Sequence, residues 1–79
     1  MNDIVWDNIM LAEFRSLACL SSEEDKVLQM WAKDDSVVEM AFALNVSTRT
    51  VDRILSRIRL KYDNVRPYTP LLPDRNILS

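Results

Sequence analysis

Histidine and glycine are both missing from this chain of 79 residues, and cysteine occurs once, as Cys19. Each absence removes a class of chemistry. Without imidazole there is no His-based nucleophilic triad, no His general acid or base and no zinc site built on His ligands. Without glycine, neither a phosphate-cradling Walker loop nor a dinucleotide GxGxxG turn can be written. A lone cysteine closes no intrachain disulfide, so the chain is not a stapled secreted scaffold. No apolar run approaches the roughly 18–20 residues of a membrane span, and no basic stretch followed by an apolar one opens the chain. The expectation is a cytoplasmic domain with no cofactor, no metal and no membrane partner, one that binds rather than catalyses.

What is present favours helices. Leu, Met, Ala, Glu, Lys and Arg are good helix formers, whereas hairpin turns would want the absent glycine. Hydrophobic residues make up 48% of the chain and charged ones 28%, so it can fold, and at 9.2 kDa it has room for one small core. The predicted fold is all-α, a small helix-turn-helix bundle of about four helices with an extended, proline-containing C-terminal tail. Three segments follow: residues 1–20 as an N-terminal amphipathic helix, 21–66 as the helix-turn-helix domain and 67–79 as the tail.

The first helix is expected from about Asp3, its cap, to Leu20. Trp6, Ile9, Met10, Leu11, Phe14, Leu17 and Ala18 cover an arc of roughly 200°, wider than one core contact needs. Either other helices of the same chain clamp it, or it also forms a homodimer interface. Ser21 and Glu24 fit a capping box for a second helix over about 22–33, with Val27, Leu28 and Trp31 on one face. Asp34-Asp35-Ser36 interrupts that pattern and supplies a new cap, a better reading of the paired carboxylates than a hydrolytic site. A short third helix, Val37 to Leu44, then meets Asn45, which tolerates the left-handed conformation and can turn the chain sharply. Ser47 or Thr48 caps a fourth helix running to about Tyr62, with Val51, Ile54, Leu55, Ile58 and Tyr62 on its core face. Pro67 ends it by Arg66.

Two helices joined by a three-residue turn have helix-turn-helix geometry. The face of the fourth helix opposite its core carries Arg49, Arg53 and Arg57 at i, i+4, i+8, with Asp52 and Ser56 beside them. Three arginines on an outer face are ordinarily solvated charge; placed just after a tight turn on the second helix of such a pair, they point to a groove-reading helix. The net charge is −2 and the pI about 4.9, unlike a generic nucleic-acid binder. The charge is segregated, however. Residues 1–44 carry three basic against nine acidic side chains and residues 45–79 seven against three, giving −6 and +4. Phosphates respond to the field within a Debye length of roughly 8–10 Å, so one end of the molecule can approach DNA.

The stretch Leu20 to Leu28, followed by Ser36 to Ile58, resembles the LuxR/GerE helix-turn-helix and the related region four of bacterial sigma factors. The shared features are a Leu-Ser cap before an acidic helix and the Met40-Ala41 pair. The series Leu44, Asn45, Val46, Ser47 follows, and Thr50-Val51 opens the last helix. Asn45 stands where the family usually has glycine. The resemblance implies sequence-specific duplex DNA binding by a small transcriptional regulator, with residues of about 48–62 in the major groove. It implies base-edge contacts from Asp52, Arg53 and Ser56 and phosphate contacts from Ser47, Arg49, Thr50 and Arg57. Thr48 completes the expected DNA-binding set. Asp52 departs from the family pattern. It either accepts from cytosine N4 or, as favoured here, orients Arg49 or Ser56.

The alternative function is a protein-interaction module of the same fold that acts on a sigma factor or another transcription protein without touching DNA. The expected partners are duplex DNA and a second copy through the N-terminal helix, with RNA polymerase or another transcription protein as a further candidate. Val38 and Phe42 share one side of the third helix. The N-terminal helix is expected to cover them; otherwise they form a partner patch. Cys19 is expected to pack as a small hydrophobe rather than act as a redox switch. In the tail, Tyr68, Leu71 and Leu72 are expected to lie back over the domain or a dimer mate, with help from Ile77 and Leu78.

Overall fold

A computed structural model describes residues 4–73. It contains four α-helices and, among the described residues, no strand: α1 (Asn8–Leu17), α2 (Ser22–Ala32), α3 (Val37–Leu44) and α4 (Thr48–Val65), then a 3-10 turn at Arg66–Tyr68. The helix α4 is the hub, since α1, α2, α3 and the 3-10 turn all pack on it.

The first helix starts later than its sequence pattern indicates. Asp7 caps it, with Oδ1 accepting from the Met10 N–H at 2.8 Å; the expected cap, Asp3, lies outside the described residues. Ahead of the cap, Ile4 is buried, Val5 is exposed and Trp6 turns inward again, the alternation of extended backbone rather than of a helix. Trp6 packs its ring on Phe14, Trp31 and Tyr62 at 5.3, 5.6 and 5.7 Å between centroids, the last two edge-on. Burying that indole in the aromatic cluster keeps this stretch out of the helix. Most of the wide apolar arc on α1 is thereby used inside the chain. Met10, Phe14 and Ala18 are buried, Trp6 and Leu11 half-buried, and Ile9 and Leu17 face outward.

Side-chain caps start the other helices. Ser21 and Glu24 close a capping box on α2, Ser36 and Glu39 another on α3, and Ser47 Oγ accepts the Thr50 N–H at the start of α4. The reversals between helices use left-handed residues without any glycine: Cys19 (φ 50°), Asp34 (φ 68°) and Asn45 (φ 58°). Asp34 and Asn45 each sit in a Schellman motif. The Asp35 N–H reaches the Met30 carbonyl at 3.0 Å and the Val46 N–H that of Ala41 at 3.0 Å, satisfying carbonyls that the helix end leaves over. Cys19 is exposed. It does not pack as a small hydrophobe, because it occupies the reversal itself.

One core joins all the pieces, from Ile4 through Phe14, Leu28, Met40, Ile58 and Tyr62 to Leu72. α4 runs a turn beyond the expected Tyr62, to Val65, before Pro67 in the 3-10 turn stops it. After that turn Thr69 is buried and donates to Glu13 Oε2 on α1 at 2.6 Å, Leu72 enters the core, and the Tyr62 hydroxyl donates to the Pro73 carbonyl. The chain does lie back over the domain, but of the three expected side chains only Leu72 enters the core. Tyr68 and Leu71 point outward; Ile77 and Leu78 lie outside the described residues.

Candidate nucleic-acid interface

The turn at Asn45 and the cap at Ser47 fix how α4 leaves α3. Val51, Ile54, Leu55, Ile58 and Tyr62 then fall on the buried face. At 100° per residue this leaves Arg49, Arg53 and Arg57 within about 40° of a common line on the opposite side. All three are exposed. No hydrogen bond or ion pair joins them to another described residue. Thr48, Asp52 and Ser56 are exposed on one flank of this row, and Thr50 is half-exposed on the other.

These residues are not equally free. Ser47 Oγ holds the Thr50 N–H at 3.2 Å and lies 3.1 Å from Thr50 Oγ1, so these two hydroxyls serve the cap first. The favoured role for Asp52 is not built: no hydrogen bond runs from its carboxylate to Arg49 or Ser56. At i+3 and i+4 on a helix the approach is possible, but nothing packs over these exposed side chains to hold it.

The basic half of the chain is smaller in effect than its formal charge. Lys61 turns inward, donating to Glu24 Oε1 at 2.6 Å and to the Cys19 carbonyl at 3.2 Å, and so pins α4 to the cap of α2. Glu24 is buried. Burial pushes its carboxyl up, but the Lys61 hydrogen bond, the Ser21 N–H and the Lys61 charge outweigh that and hold it below the usual carboxylate range. The Arg59 guanidinium lies 5.1 Å from the Trp31 ring centroid, a cation–π contact. Of the basic side chains of α4, Arg49, Arg53 and Arg57 are the ones that stand exposed on its outer face. On the acidic half, Arg15 pairs with Asp25 through two bonds of 2.8 and 3.2 Å.

Sequence reasoning missed one feature, and its expected cover over Val38 and Phe42 is corrected. Leu60, seven residues after Arg53, lies in the arginine stripe and is 62% exposed; the angular count that found the arginines also contains it. Val38 and Phe42 are 68% and 89% exposed. The cover expected from the N-terminal helix is absent because α1 packs on α4, where Phe14 meets Tyr62, and not over α3. Among the described residues no cluster of Cys, Asp or Glu is placed to hold a metal ion, and none of their helices is long and apolar enough to cross a membrane. Clefts of about 440 and 340 Å³ open beside Arg15 and beside Trp6, both away from the outer face of α4.

The model of the luxR family of bacterial regulatory proteins, the GerE domain, matches residues 18–63, more than half of the chain. No curated protein and no solved structure matches it. The matched span begins at the C-cap of α1 and ends near that of α4, so it takes in α2, α3 and the arginine-bearing helix. The body of α1 and the tail lie outside it.

Proposed function

We infer that this chain, which belongs to the luxR family of bacterial regulatory proteins, binds duplex DNA as a transcriptional regulator and places α4 in the major groove. The carrying observation is the unpaired, exposed row of Arg49, Arg53 and Arg57 immediately after a sharply turned helix start. A docked recognition helix reads base edges with its first turns. Arg53 is the base reader, a fork suited to guanine O6 and N7, and Ser56 lies one turn on. Arg49 and Arg57 flank it as phosphate contacts. Thr48 and Arg49 have no helical acceptor for their N–H groups, so the start of α4 offers donors to a phosphate, and Ser47 and Thr50 support that end. With no partner on its own helix, Asp52 takes the cytosine role. A second copy would meet the first through Ile9 and Leu17 on α1, and the site asks for no cofactor and no catalytic step.

Titration of a random-sequence duplex at low and moderate salt tests the reading, which expects weak binding that falls with salt. Replacing Arg53 with Ala in the chain bound to its preferred site should cost about 1–3 kcal/mol and relax one base position. Arg57→Ala should weaken all sequences alike and reduce the salt slope by about one. Equal losses on every sequence for both variants would contradict these roles. The exposed Val38 and Phe42 favour a second reading, a module that engages RNA polymerase, a sigma factor or another transcription protein; no salt-dependent affinity for any duplex would select it.

A further inference from the structure

We propose that the Val38–Phe42 face of α3 docks a second copy of this chain, and that the arginine face of α4 from that copy seats on it. Phe42 is 89% exposed, and Val38, one turn earlier, is 68% exposed. An aromatic left so open presents on the order of 150–250 Å² of apolar surface to water. Its rim is acidic. Glu39 follows Val38 directly and is exposed, with Asp35 and Asp34 at the same end of the helix.

That rim determines the occupant. A two-fold contact of this face with itself would bring two acidic rims, each with Glu39, Asp35 and Asp34, into one interface with none of these residues supplying a cation. The surface that fits is basic with an apolar end, and the chain presents one: Arg49, Arg53 and Arg57 in a row, with Leu60, 62% exposed, about one turn beyond Arg57 in the same stripe. Leucine meets phenylalanine while guanidinium groups meet carboxylates. Such a contact is head-to-tail and distinct from pairing through α1. Where α4 also binds DNA, duplex and second copy compete for the same arginines, so self-association masks the DNA-reading face. This last step alone rests on the reading proposed above.

Two variants test the contact, each losing one side of it: Phe42→Ser, and Arg53→Glu combined with Arg57→Glu. All these side chains are exposed and should leave the fold intact, as amide shift dispersion will show. With the ¹⁵N-labelled arginine variant, adding unlabelled Phe42→Ser chain should move amide signals of residues 34–43. With labelled Phe42→Ser chain and unlabelled arginine variant, signals of residues 49–60 should move. Phe42→Ser chain added to itself should move neither set, because truncating a central aromatic weakens such a contact about tenfold or more. Raising salt from about 50 to about 500 mM should reverse both responses. Shifts confined to α1, shifts in the self-titration, or none in either mixture would overturn the proposal. Adding duplex DNA to the wild-type chain should release residues 34–43. If duplex binds and does not release them, the masking step fails; if duplex does not bind at all, the DNA reading fails and the mixed-variant result still decides the self-contact.

Discussion

Asn45 shows how one side chain can set a functional angle. Its φ of 58° and ψ of 45° place it in the left-handed region, which costs an ordinary L-residue roughly 1–2 kcal/mol and asparagine less. Asn45→Ala should lower unfolding free energy by about 1 kcal/mol, whereas Asn45→Gly should leave it level or raise it, both read by urea melts. Cys19 holds a similar φ of 50° without the amide that helps asparagine, so Cys19→Gly should stabilise the chain by a fraction of a kcal/mol up to about 1 kcal/mol. The two positions differ in legibility. Asn45 announces itself, because an apolar helix stops there and a Ser cap follows two residues later. Cys19 does not, since nothing in a cysteine's chemistry marks a left-handed reversal.

Helices α2, α3 and α4 were legible to within a few residues because their starts are written in short-range chemistry, Ser-x-x-Glu twice and Ser47 once. The start of α1 was not. Its aromatic lead-in obeys helical spacing and extended alternation alike, and only the ring cluster with Phe14, Trp31 and Tyr62 decides between them. Lys61 was equally hidden, since a lysine on a basic helix looks solvated until its partner 37 residues away is known. That pair has a testable consequence. Glu24 and Glu39 are both held below the usual carboxylate range, Glu39 by the Ser36 backbone N–H and hydroxyl. The folded chain therefore binds protons less readily than the unfolded one. The stability they contribute is complete above the ordinary value of 4.5 and is lost as pH falls through their lowered values. Lys61→Met should cost about 1–3 kcal/mol at neutral pH, less than a fully buried pair because the lysine is one-third exposed. It should also flatten the acid limb of stability against pH, since burial then works on Glu24 without its cation; a limb as steep as wild type would argue against the assignment.

Across the whole molecule, charge and greasy surface are distributed unevenly. The acidic half carries Val38 and Phe42 in the open, and the basic half carries three unpaired arginines. The sequence displayed the charge division, but which apolar residues stay wet is a property of how the helices stack, and α1 could have lain over α3 as easily on paper. The last described residues knit the ends together, Thr69 to Glu13 and Leu72 into the core. Leu72→Ala should accordingly cost about 2–4 kcal/mol in a thermal or urea melt, a price set by the cavity it leaves. The glycine-free reversals bear on this architecture too. A bend made from side-chain-bearing residues is harder to enter than a glycine bend, yet once formed it has fewer neighbouring shapes to wander into. Swapping glycine into all three corners should therefore give a hardier but looser protein, whose amide protons beside the corners trade with solvent faster even as its melting point climbs.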